Sequence, residues 1–140
     1  MAVTPRGPAG WVLDKSAAVH ATHPRVAAAL AALAGQLFVC PIGELEQLYS
    51  ARSADDYDAL KAELRASFGT VVAPVDLLDR ALRLQADLAH YHGMWHRTPI
   101  PDLLIAEVAL HHGMGVVTVD SDFERIAEVR PLVVRRLHVQ

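Results

Sequence analysis

The sequence predicts an α/β fold, a three-layer α/β/α domain on a central parallel sheet. Short runs rich in branched apolar residues recur along the 140-residue chain. Between them lie stretches whose apolar residues repeat at helical spacing. Strands that alternate with helices imply right-handed crossovers and a parallel sheet covered on both faces. A chain of this length can bury one real core, and nothing in it suggests a second unit.

The elements follow in order. The opening "MAVTPRGPAG" is rich in Pro and Gly and lacks the apolar stretch of a signal peptide, so residues 1–10 are expected to form a flexible leader and 11–140 a single domain. "WVLD" (11–14) is the first strand. "RVAAALAALAG" (25–35) is a run of strong helix formers closed by Gly35. "QLFVC" (36–40) is the second strand, with Cys40 at its end. "DDYDALKAELRASFG" (55–69) carries Tyr57, Leu60, Leu64 and Phe68 at helical spacing, and Ser53 with Asp56 approximates a capping box before it. "TVVAPV" (70–75) is the third strand. "DLLDRALRLQADLAHYHG" (76–93) sets Leu78, Ala81, Leu82, Gln85, Leu88, Ala89 and His92 on one side, pairs Asp79 with Arg83, and stops at Gly93. "RTPIPDLLIAEVAL" (97–110) is a helix apolar on nearly every side, which implies burial. Pro101 suits its first turn, and Asp102 beside it meets the positive end of the helix dipole. "GVVTVD" (115–120) and "LVVRRLHV" (132–139) complete the strands. Between them "SDFE" (121–124) has the form of a capping box, with Ser121 as cap and Glu124 reaching back.

With 52% hydrophobic and 21% charged residues, the chain is not of the disordered class, and no apolar run approaches the roughly 20 residues of a membrane span. The single cysteine cannot form an intrachain disulfide, which fits a cytoplasmic protein. A net charge of −3 lacks the basic footprint of a nucleic-acid binder. A polyanionic substrate would therefore need local help, from a metal ion or from small basic groups: Arg97 with its neighbouring histidines, or Arg135 with Arg136.

In doubly wound sheets functional groups gather beyond the carboxyl ends of the strands, where strand order reverses. Asp14 and Asp120 directly follow the apolar cores of their strands, and Asp102 heads the buried helix. Each has an ordinary alternative as a loop acid or a cap. Glu44 and Glu46 follow the second strand, and their i, i+2 spacing puts them on different helix faces, so at most one joins a common site. Three or four carboxylates at one sheet edge raise one another's pKa unless a cation sits between them. Mg²⁺ or Mn²⁺ suits such oxygens, and a site of this kind can activate a water against a phosphodiester.

Four segments in order, "VLDKSAAV" (12–19), "CPIGELEQLYSAR" (40–52), "PDLLIAEVAL" (101–110) and "VVTVDSDFERIA" (116–127), resemble the signature segments of PIN-domain ribonucleases, in particular the VapC toxins of bacterial toxin–antitoxin pairs. The resemblance runs from Trp11 onward, and its strongest parts are the aspartate before "LLIA" and the TxDxDF segment after it. It implies a metal-dependent endoribonuclease that leaves a 5′-phosphate and a 3′-hydroxyl on RNA, with tRNA among the candidate substrates. It implies a site for Mg²⁺, with Mn²⁺ able to substitute, formed by Asp14, Asp102, Asp120 and Glu46. Glu44 is the alternative glutamate. Asp122 matches an accessory acid, and Ser16 the hydroxyl that supports the first aspartate. A small VapB-type antitoxin over the acidic cleft and a homodimer are implied as partners, with no membrane.

Two positions depart from that pattern. Lys15 stands where Thr is common, and it points away from Asp14 if the strand continues through it. Glu107 replaces the usual Ala and lies off the face of Asp102, which suggests a surface or interface acid. Lys15, His96 and Arg97 are the candidate RNA contacts. Zinc on His90, His92 and His96 is disfavoured, because the first two do not share a helix face. Two other function classes are weighed. A PIN-fold module without strong catalysis is kept open by Lys15. A receiver-type signalling domain also places aspartates at strand ends, but it needs a pair of adjacent acids after the first strand, where this chain has Asp14 alone.

Overall fold

A computed structural model describes residues 7–92 and 97–139, with the side chain of His92 left out. Gly93, His96 and residues 1–6 of the expected leader lie outside the described residues. The sheet is parallel and ordered β3-β2-β1-β4-β5, from β1 (Trp11–Leu13), β2 (Leu37–Val39), β3 (Gly69–Thr70), β4 (Gly115–Thr118) and β5 (Val134–Arg136). The chain winds outward from β1 to β3, then returns to β4 on the other side of β1. The crevice between the carboxyl ends of β1 and β4 is thus the switch point of the sheet.

Alternation along the strands builds two cores. On one face Val12 and Val116 pack with Leu84 and Leu88 of α5 (Leu77–His92), Ile105 and Val108 of α6 (Ile100–His111), and Phe123 and Ile126 of α7 (Asp122–Ala127). On the other, Leu13 and Val117 pack with Ala17 of α1 (Lys15–Val19) and with Val26 of α2 (Pro24–Ala32). Between β2 and β3 run α3 (Pro41–Leu48) and α4 (Ala54–Ser67). This is the expected three-layer arrangement.

Glycine is required where strands meet closely. A Cβ on Gly115 would stand 2.6 Å from the Trp11 ring and 2.7 Å from the Val133 carbonyl oxygen, so any side chain there would break the β1–β4–β5 pairing. Gly35 turns the chain out of α2 at a φ of 83°.

Several elements differ from expectation. The third strand shrinks to Gly69–Thr70, with Val71 donating one more bond to Val39. Pro74 has no N–H for a ladder, and Val72 and Val75 are exposed at this sheet edge. Helix α5 buries Ala81, Leu84 and Leu88, while Leu78 and Leu82 face outward, and its i, i+4 ion pair is Asp76–Arg80 at 2.8 Å. Ser121 caps nothing with its side chain, because its backbone is already helical, and Glu124 lies 3.4 Å from Arg136 instead. Ser53 does cap α4 by accepting from the Asp56 N–H, and the Asp56 carboxylate reaches back to the N–H of Arg52. Glu107 is no surface acid. It is buried under Arg130, at 3.8 Å, and desolvation pushes its carboxyl above the usual range.

Candidate active site

Asp14 leaves β1 at the switch point and is the N-cap of α1, which begins at once with Lys15. The strand therefore does not run on through Lys15. Asp14 is 4% exposed, and its carboxylate is held by two hydroxyls rather than by the helix. Ser16 donates to Oδ2 at 2.7 Å, and Thr118, at the end of β4, donates to the same oxygen at 3.0 Å. Each hydroxyl has one proton, so the 3.0 Å contact between Ser16 Oγ and Thr118 Oγ1 carries none while both donate to Asp14. Their lone pairs are used as well: Ser16 Oγ accepts from Val119 N–H at 2.9 Å and Thr118 Oγ1 from Asp120 N–H at 3.0 Å. Asp14 and the loop bearing Asp120 are thereby one hydrogen-bonded unit.

Thr118 was missed in the sequence. The signal for it was strand period: residues 118 and 120 share a side, and the register pairs Leu13 with Val117, so the next residue on β4 must meet Asp14.

Helix α6 starts at Ile100 with Pro99 as N-cap, so Asp102 lies in the first turn with its backbone N–H bonded to the Pro99 carbonyl. Burial, then Asp14, Asp122, Glu46 and Asp120 in that order, push its carboxyl up to about 8. Glu46 is also raised, by burial and then by Asp14, while Lys15 pulls it back. Its Oε1 is buried without a hydrogen-bond partner. Asp120 is exposed and is raised by burial of its carboxyl, then by Asp14 and Asp122, with His20 and Arg136 acting against the shift. Asp14, Glu46, Asp102, Asp120 and Asp122 thus share one electrostatic site.

Glu44 does not join them. It looks away and is clamped by Arg65 of α4, Nε to Oε2 at 3.0 Å and Nη2 to Oε1 at 3.2 Å. The two glutamates separate as their i, i+2 spacing requires. Lys15 is close enough to Glu46 for its charge to favour the ionised carboxylate there, against the upward shift. Arg97 is exposed in the turn before α6, and His96 lies outside the described residues.

The donors suit a hard divalent cation. All are carboxylate oxygens, one of them buried and unpartnered, and they repel one another as they stand. Among the described residues no three His, Cys, Asp or Glu side chains close into a ligand cage by themselves. An ion that keeps several waters, as Mg²⁺ does, needs no such cage.

The model of the PIN domain matches residues 11–129. Ribonuclease VapC17 of Mycobacterium tuberculosis is 55% identical over 125 residues, covering 86% of this chain and 90% of that protein. Ribonuclease VapC21 of the same species is 41% identical over 121 residues, covering 85% and 87%. Among solved structures, DNA-bound VapBC from Salmonella typhimurium superimposes with a TM-score of 0.73 at 16% identity, covering 91% of this chain and 97% of that one. VapBC2 from Rickettsia felis, bound to a promoter DNA fragment, gives 0.72 at 18%, covering 91% and 98%. At those identities the two structures speak for the fold.

Proposed function

The chain belongs to the PIN-domain family, among its VapC ribonucleases, and from that premise we propose that it is a divalent-metal-dependent endoribonuclease, the toxin of a toxin–antitoxin pair. The observation that carries this reading is Asp102, an acid pushed up to about 8 by burial first and then by four other carboxyls at one sheet edge. Such an arrangement is costly for the fold and is expected where cation binding relieves it. The receiver-type alternative has no place in this family.

Asp14, Glu46, Asp102 and Asp120 would hold Mg²⁺ or Mn²⁺, which when bound supplies a polarised water and charge stabilisation for a phosphodiester. The protein's own part is orientation. Ser16 and Thr118 lock Oδ2 of Asp14, and Thr118 fixes the Asp120 backbone. Asp102, whose carboxyl is pushed up to about 8, and Glu46, raised in the same direction, would serve as ligands in their deprotonated forms. In-line attack of water on phosphorus breaks the P–O3′ bond and leaves a 5′-phosphate and a 3′-hydroxyl.

As partners we propose an RNA substrate, a VapB-type antitoxin and a second copy of the chain. Leu78, Leu82 and Ile100 are 70%, 63% and 63% exposed and border an apolar groove with Leu103 and Leu104, the kind of surface that protein contacts cover. No helix among the described residues is long and apolar enough to cross a membrane, and we propose a cytoplasmic protein.

The test is cleavage of a total small-RNA pool by the purified protein in Mg²⁺, Mn²⁺ or EDTA, beside Asp14→Asn. Discrete cuts that need metal and vanish in the variant support the reading. Intact RNA from a folded, metal-supplied protein favours a binding module, with Lys15 next to Glu46 as the disabling change.

A further inference from the structure

The acids that would hold the cation repel a phosphate backbone, and the net charge of −3 offers no general attraction. A strand of RNA must therefore be held by particular cations at the rim of the crevice. Two basic side chains, His20 and Arg136, stand beside Asp120, linked to the N–H and to the carbonyl of Val119, the first of them through Ser16. Ser16 Oγ accepts from the Val119 N–H at 2.9 Å, and the Ser16 carbonyl oxygen accepts from His20 Nδ1 at 2.8 Å. Arg136 donates Nε to the Val119 carbonyl oxygen at 3.4 Å. The backbone of Val119, just before Asp120, thus ties α1, through Ser16, to the end of β5, through Arg136.

The chemistry of each partner sets what it offers. A carbonyl accepts only, so Nδ1 of His20 carries a proton, and Nε2 of the half-buried ring donates to a phosphate oxygen when it too is protonated, in the imidazolium form. Arg136 is paired in register with Thr118, which brings it to the same strand ends as the acids. Its other contact, Nη1 to Glu124 Oε1 at 3.4 Å, is an exposed ion pair of the kind that contributes little and exchanges readily. Arg135 alternates to the opposite face of the strand.

We propose that His20 and Arg136 form a phosphate subsite beside Asp120 that holds the RNA strand next to the bond to be cut. This rests on the ribonuclease reading, and it assigns the strand to the α1–β5 side of the crevice. Arg136 supplies a forked donor and His20 Nε2 a single contact, so the subsite recognises the backbone and not a base. Both are positioning residues, and their loss weakens binding without changing the chemistry of the bound complex.

The experiment measures binding of a fluorescein-labelled ten-nucleotide oligouridylate to the full-length Asp102→Asn protein in Mg²⁺ over a salt series, with cleavage by the otherwise native chain in parallel. His20→Asn keeps a donor for the Ser16 carbonyl and removes Nε2. Arg136→Gln removes the charge, Arg136→Lys restores it, and Arg135→Gln is the control. Arg136→Gln is expected to weaken binding about 10-fold and to lower the salt slope by about 0.7, the value for one phosphate on a single strand. Arg136→Lys should recover part of both, and Arg135→Gln should change neither. In cleavage, His20→Asn and Arg136→Gln should raise KM and leave kcat within about twofold. Unchanged affinity and slope in both variants, a fall in kcat at constant KM, or no binding by the Asp102→Asn parent would overturn the subsite. A chain that binds in this pattern yet cuts no RNA would instead overturn the ribonuclease reading while supporting the subsite.

Discussion

Thr118 Oγ1 donates to Asp14 Oδ2 at 3.0 Å, from a strand 104 residues further along the chain, and accepts the Asp120 N–H on its other side. A single buried hydroxyl thereby links the carboxylate of Asp14 directly to the backbone of Asp120.

Thr118→Val keeps the shape and removes the hydroxyl. Asp14 loses one of its two donors and the Asp120 N–H loses its acceptor, which should cost about 2 kcal/mol in stability. Apparent metal affinity and cleavage should fall about 10- to 100-fold, as for other groups that orient ligands. Thr118→Ser should recover most of both. Urea unfolding and a Mg²⁺ titration of cleavage measure the two effects. Native behaviour in Thr118→Val would show that Ser16 alone suffices to place Asp14.

Asp102→Asn should lose cleavage by about 1,000-fold or more, yet fold more stably than the native chain in EDTA at pH 8. The folded-state value of about 8 lies above the ordinary carboxyl value of 3.8. Between those values the folded chain binds more protons than the unfolded one, so the native protein loses stability as pH rises. Asn never ionises and escapes that loss, so the gain in melting temperature should be present at pH 8 and vanish near pH 4. Thermal melts across pH check the sign, and a variant less stable at pH 8 would contradict it.

Cation binding should release protons for the same reason. Mg²⁺ affinity is expected to rise by up to about 10-fold per pH unit between pH 6 and 7.5 and to level off above 8, as Asp102 ionises unaided. Calorimetry in two buffers of different ionisation enthalpy counts the protons released. A pH-independent affinity would mean that Asp102 is not displaced from its protonated form by the ion.

The two glutamates of α3 should behave as opposites. Glu46→Gln is expected to abolish metal-dependent cleavage, because its carboxyl faces Asp14. Glu44→Gln breaks the paired fork with Arg65 and should cost about 1 kcal/mol, discounted for the half-exposed arginine, with cleavage within about twofold of native. Kinetics beside chemical unfolding separates the two. Loss of cleavage in Glu44→Gln with a native unfolding curve would exchange the roles.

Local rules reached far along this chain. Residue spacing located the alternation of strands and helices, the acids at strand ends and the helix opened by Pro101 and Asp102, because each depends on period, dihedral preference and capping within one element. The same rules separated Glu44 from Glu46 without saying which one faced the acids.

What only the tertiary structure decided involves partners from distant segments. Arg65, brought in by α4, takes Glu44 and leaves Glu46 to Asp14. Arg130 covers Glu107, which one-dimensional spacing had placed at the surface or at an interface. Leu78 and Leu82 stay exposed because α6 covers a neighbouring stripe of α5, that of Ala81, Leu84 and Leu88. The sequence by itself determined which groups lie on each element and where along it. Burial and Coulomb interactions act through space, so which of those groups meet, and the pKa values that follow, were decided only once the sheet was assembled.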